Sequence, residues 1–147
     1  MRMRLVWSGF ISAYLVLLLS GCSGSSDSGT ESFAGRYTIA VNQINAQTGA
    51  IENTTVPGTM TILASNIVDA TYTNDANGTA VVTKLSGNIT PAGVITMRST
   101  DGQFPPTFTG TVTGSGANKK VTNGSVIFKD LPTVKTNWSA QCTSDCG

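Results

Sequence analysis

Three thiols and no imidazole bound the chemistry open to this chain. Cys22, Cys142 and Cys146 are the only cysteines among 147 residues, and histidine is absent. Without histidine there is no Ser-His-Asp or Cys-His nucleophile pair, no proton shuttle near neutral pH, and little scope for a zinc site. No Gly-x-Ser-x-Gly elbow, Ser-x-x-Lys pair or phosphate-cradling glycine loop occurs. Glu52, Asp69, Asp75, Asp101, Asp130 and Asp145 fall where turns or solvent-facing strand positions are expected, so they read as solvated side chains and not as a glycosidase-type acid pair. Asp75-Ala76-Asn77-Gly78 has the start of a calcium loop but no closing glutamate at the required spacing, and reads as a hairpin turn. Thr107, Thr109, Thr111 and Thr113 form an alternating hydroxyl row. An ordered hydroxyl array would need a fixed repeat period, and the chain has none, so the row reads as an ordinary solvent face. These observations predict no catalytic residue, no metal and no cofactor: the chain is not expected to be an enzyme.

The first of the thiols sits in a different context from the other two. Met1-Arg2-Met3-Arg4 is a short positive stretch, and Leu5 to Leu19 is a 15-residue apolar run broken only by Ser8, Gly9 and Ser12. Fifteen helical residues span about 22 Å, short of the roughly 30 Å hydrocarbon core, so a removable export signal is expected here rather than a spanning helix. Leu19-Ser20-Gly21-Cys22 resembles a bacterial lipobox. That resemblance implies cleavage before Cys22, a diacylglyceryl group on its sulfur, and two or three acyl chains, palmitate among them. One chain holds a protein to a membrane only marginally, whereas two or more anchor it durably. Ser23, rather than Asp, follows the cysteine. In enteric-type lipoproteins this pattern implies the outer membrane as destination.

Cleavage would leave 147 − 21 = 126 residues, enough for one core. Loss of Arg2 and Arg4 would leave seven basic residues against eight acidic ones, a net charge of −1. Only 12% of the chain is charged, roughly half the usual share, and no basic stripe exists, so nucleic acid is not an expected partner. Residues 23–32 (SGSSDSGTES) contain nothing apolar to bury and read as a flexible tether, with a root-mean-square reach of roughly 15–20 Å. The predicted organisation is a signal peptide at 1–21, an anchored linker at 22–32 and a β domain at 33–147.

The remaining residues must build whatever the tether carries. The chain has 22 threonines and 16 glycines: β-branched side chains for pleated surfaces, and turn formers between them. Gly35 to Asn42 alternates with Tyr37, Ile39 and Val41 on one face. Gly58 to Ala64 places Met60 and Ile62 together, with Pro57 marking a strand start or an edge. Ile67 to Thr73 follows, with Val68, Ala70 and Tyr72 in phase, and residues 74–78 read as a hairpin. Thr79 to Thr90 places Val81, Leu85 and Ile89 in phase, with Gly87 as a bend or bulge. Thr90 to Gly93 turns into Val94 to Ser99. Residues 101–106 read as a loop, stiffened by Pro105 and Pro106. Thr107 to Thr113 has Phe108, Gly110 and Val112 inward. Lys119 to Lys129 has Val126 and Phe128 inward, and Asn123-Gly124 marks a bulge or a split. Leu131-Pro132 reads as a turn before a last strand, Lys135 to Cys142, around Trp138. The expectation is all-β: about eight antiparallel strands in a meander, closing as a small barrel or a barrel-like sandwich. The Gly35-Arg36-Tyr37 opening and the meander are similar to lipocalin-like and avidin-like barrels, which implies an interior able to take a small apolar ligand.

Lipidation would consume the thiol of Cys22 and leave Cys142 and Cys146 as an even pair in an oxidising compartment, so a disulfide between them is expected. Thr143, Ser144 and Asp145 can form the tight turn that this spacing needs. Together these readings predict a lipid-anchored cell-envelope protein held to the outer membrane through acylated Cys22. Its β domain is expected to be non-catalytic and to interact with an envelope partner. The alternative is a barrel that binds a small apolar ligand.

Overall fold

The computed structural model describes residues 32–44, 50–74, 80–99, 101, 105–129 and 131–147. Cys22, the expected export segment, residues 23–31 of the expected linker and residues 75–78 of the expected hairpin lie outside the described residues. Eight antiparallel strands follow one another around a closed barrel in sequence order: β1 Gly35–Ile44, β2 Ile51–Ile62, β3 Ile67–Asn74, β4 Val81–Ile89, β5 Val94–Arg98, β6 Pro106–Thr113, β7 Lys120–Phe128 and β8 Leu131–Ser144. A short 3₁₀ turn, Gly116–Asn118, lies between β6 and β7. Closure is made by β8 pairing with β1, with Val41 opposite Trp138 and Tyr37 opposite Cys142. The barrel, and not the sandwich, is therefore the architecture. It leaves no open sheet edge among the described strands.

The period-2 runs bury the faces expected of them. Tyr37, Ile39, Val41, Met60, Ile62, Val68, Ala70, Leu85, Ile89, Phe108, Val112, Val126, Phe128 and Trp138 all point inward and are buried. Four local expectations need correction. The second strand starts at Ile51, not at residue 58, and Pro57 lies inside it opposite Ala40 of β1. Proline is tolerated there because the β3 ladder begins only at Gly58, so β2 has no β3 partner at Pro57. Val81 lies at the end of β4 and is exposed. Gly87 is neither bend nor bulge: it pairs in unbroken register with Val68 on one side and Met97 on the other. A Cβ there would lie 1.9 Å from the Thr96 carbonyl oxygen, so close strand approach is what requires glycine. Leu131-Pro132 opens β8 rather than forming a turn, with Leu131 opposite Phe128.

Asn123-Gly124 proves to be a bulge within one strand. The register shifts between Val121 and Gly124 on the β8 side and between Thr109 and Val112 on the β6 side. Asn123 takes φ 55°, a left-handed conformation that asparagine tolerates better than most residues. The extra residue flips the strand's phase, so that odd-numbered Val121 and even-numbered Val126 both face the core.

In a meander barrel the starts of odd strands and the ends of even strands share one end. That end collects the tight turns Leu63–Asn66, Thr90–Gly93 and Gly114–Lys119, together with the incoming segment Ser32–Ala34 and the tail Asp145–Gly147. The other end carries the connections β1–β2, β3–β4, β5–β6 and β7–β8.

Candidate functional site

Cys142 and Cys146 are joined in a disulfide at the turn end, with their Cα atoms 6.2 Å apart. Cys142 lies buried on the inner face of β8, and Asp145 at φ 56° makes the reversal that brings Cys146 back. Around the disulfide the chain's incoming and outgoing segments meet. Lys119 is 0% exposed, and its ammonium donates to the backbone oxygens of Ser32 and Gly147. A fully buried cation persists only when its hydrogens are taken up, and here the two ends of the domain supply the acceptors. The Tyr37 hydroxyl donates to the Phe33 carbonyl at 2.8 Å, and the backbone N–H of Cys142 donates to the Lys119 carbonyl at 2.9 Å. Arg36 and Asp145 make an exposed ion pair, 3.6 Å apart, on the rim.

The sequence reading placed Cys142 and Cys146 but missed Lys119. Alternation counted back from Val126 and Phe128 puts residues 119 and 121 outward, and the bulge at Asn123-Gly124 reverses that phase and turns both inward. Lysine, so seldom fully buried, gives no signal of its own.

The barrel interior is the second place where chemistry could reside, and large side chains cross it. The rings of Tyr72 and Phe108 lie 5.7 Å apart, and those of Phe108 and Trp138 are 5.7 Å apart in an edge-to-face contact with their planes at 61°. Met60, Met97 and Ile95 pack with them, each at most 1% exposed. Trp138 reaches the wall itself: its indole N–H donates to the Thr109 carbonyl at 2.9 Å, where the β6–β7 ladder is interrupted. Gly124 makes room for it, since a Cβ there would lie 2.2 Å from the indole nitrogen. Eight strands enclose a space just wide enough for side chains to fill or for one small ligand. Here side chains occupy it. Burial raises the pKa of the Tyr72 phenol above 10.0, and the hydrogen bond with Thr83 works in the opposite direction.

On the outer wall, a groove of about 650 Å³ is lined by residues including Thr59, Asp69, Lys84, Ser86, Arg98 and Asp101. Thr61, Asp69, Ser86 and Arg98 are cross-strand neighbours in one row. The Ser86 hydroxyl donates to Asp69 at 2.8 Å, and Thr59 and Thr71 share a hydrogen bond at 3.2 Å. Asp69 and Asp101 thus share a groove with two cations, a feature that the sequence reading, which treated each carboxylate separately, did not find. Among the described residues no group of three or more Cys, Asp or Glu side chains is placed to hold a metal ion. The threonine row of β6 has Thr109, Thr111 and Thr113 exposed and Thr107 half-buried on the outer wall.

No protein-family model matches the chain, and no curated protein matches its sequence.

Proposed function

We propose that this is a lipid-anchored cell-envelope protein, attached to the outer membrane through acylated Cys22, whose barrel acts through its outer surface on an envelope partner and not through a bound ligand. The anchor rests on the Leu19-Ser20-Gly21-Cys22 resemblance and the apolar run before it. The observation that carries the choice between partner and ligand is the interior: Tyr72, Phe108 and Trp138 stack across it, and Met60 and Met97 pack beside them. A ligand barrel instead keeps an apolar cavity of a few hundred Å³. The outer wall offers what a partner would read, a groove in which hydroxyls alternate with charges of both signs.

Native mass spectrometry of the full chain, expressed in bacteria and extracted from their membranes, tests both halves. The expected species is residues 22–147 plus two or three acyl chains, absent in Cys22→Ala, with no small molecule retained. An unacylated chain would remove the anchor. A retained apolar compound would favour the ligand-binding alternative.

A further inference from the structure

The disulfide and the segment that enters the barrel are far apart in sequence, yet one buried side chain holds both. Three contacts fix Ser32–Ala34 across the turn end. The Lys119 ammonium donates to the Ser32 carbonyl oxygen, and the Tyr37 hydroxyl donates to the Phe33 carbonyl at 2.8 Å. The Phe33 ring lies over Gly93, where a Cβ would meet it at 3.1 Å. Lys119 also donates to the backbone oxygen of Gly147, so a single buried cation ties the entering segment to the tail. The tail reaches Lys119 through the reversal at Asp145 that the Cys142–Cys146 bond closes. The same bond packs on the start of β1: a Cβ at Gly35 would lie 3.0 Å from the Cys142 sulfur and 3.1 Å from the Asp145 carbonyl oxygen.

Little else in the tail competes with these contacts. Arg36 and Asp145 form an ion pair with both side chains exposed, and such pairs contribute little. The ladder of β8 with β1 runs from Trp138 opposite Val41 to Ser144 opposite Arg36 and does not include residues 145–147. Opening the S–S bond therefore frees the tail and leaves the barrel closed. Cys146 is half-buried and Cys142 is buried, so the Cys146 sulfur is the one that an incoming thiolate can reach.

We infer that the Cys142–Cys146 disulfide is a redox latch on the entering segment, acting through Lys119. A dithiol reductant opens it. Its thiolate attacks the Cys146 sulfur, the S–S bond breaks, and Cys142 leaves as a thiolate that takes up a proton. The Arg36 carbonyl oxygen, 3.4 Å from that sulfur, is placed to accept the new S–H. The second thiol of the reductant then displaces Cys146 as a thiol. Two electrons and two protons pass to the protein, and the reductant becomes a disulfide. Gly147 moves away, and Lys119 loses an acceptor. A buried ammonium left short of acceptors is costly, so it turns toward water and releases Ser32. Ser32–Ala34 opens while the strands stay paired. The latch works whether or not Cys22 is acylated.

Chymotryptic cleavage of the Phe33–Ala34 bond in the full chain, followed by mass spectrometry, reads the segment, and cleavage after Phe108 reads the barrel. Wild type reduced with dithiothreitol, then freed of it under nitrogen, should be cut at Phe33 roughly tenfold faster than the oxidised protein, as loss of one charged hydrogen bond implies. Cutting after Phe108 should not change. Cys146→Ser should match the reduced wild type. Lys119→Met, and separately Lys119→Gln, should be cut fast in both redox states, because the link is gone. Equal rates at Phe33 in oxidised and reduced wild type would overturn the latch. A redox effect that survives undiminished in both Lys119 variants would overturn the route through Lys119. A parallel rise at Phe108 on reduction would overturn it as well, since the whole barrel would then be opening.

Discussion

At the scale of single residues, the core of this barrel turns on side chains whose type and surroundings pull in opposite directions. Trp138 is too large for a plain wall position, and it fits only because Gly124 and Gly110 leave their space to its ring. Tyr72 places a phenol among apolar neighbours, and burial raises its pKa. The folded state thus holds this proton more tightly than the unfolded chain does. The resulting stabilisation is present in full below the unfolded value near 10 and is lost as pH rises through the higher folded value. Chemical melts should accordingly show stability falling above pH 10 in the wild type, and falling less steeply in Tyr72→Phe. Identical alkaline slopes in the two proteins would mean that Tyr72 ionises freely. The sequence placed Tyr72 inward through its phase with Val68 and Ala70. Its ring partner Phe108 could not be read, because the two meet only across the closed barrel.

At the scale of elements, alternation made the strands legible and phase breaks hid their limits. β6 was read inward and outward as it stands: Phe108 is 0% exposed, and Thr109 lies outside. Phe108→Ala should therefore cost about 3–5 kcal/mol, since it removes the ring between Tyr72 and Trp138 and leaves a cavity. Thr109→Ala should cost well under about 1 kcal/mol, because it removes only an exposed hydroxyl and methyl. Urea denaturation of the two variants compares them directly, and a larger loss in Thr109→Ala would reverse the assigned faces. The errors fell where a neighbouring strand decided the outcome. Pro57 reads as a boundary from its own chemistry, yet it sits within β2 because β3 has not yet begun to pair there. Gly87 reads as a bulge, yet its lack of a side chain serves the approach of Thr96.

At the scale of the whole molecule, closure brings the two ends of the domain to one place. β8 zips onto β1, the disulfide folds the tail back, and Lys119 holds the backbone at Ser32 and at Gly147. The disulfide spans only four residues in sequence, so its entropic contribution is small, about 2 kcal/mol. Thiol titration of denatured, acylated protein should find no free sulfhydryl before reduction and two after it. Cys146→Ser should lower stability by about that amount without unfolding the barrel, and two reactive thiols before reduction would refute the pairing. What the sequence determined by itself was mostly local: the all-β class, the number of strands and most inward faces follow from neighbours within a few positions along the chain, and the Cys142–Cys146 pair follows from setting Cys22 aside and from a spacing that a tight turn can close. Closure into a barrel, the filling of its interior by the Tyr72–Phe108–Trp138 stack, the burial of Lys119 and the grouping of Asp69 with Lys84 and Arg98 were decided by the tertiary structure. Each depends on the register between strands distant in sequence, which alternation along one strand does not encode.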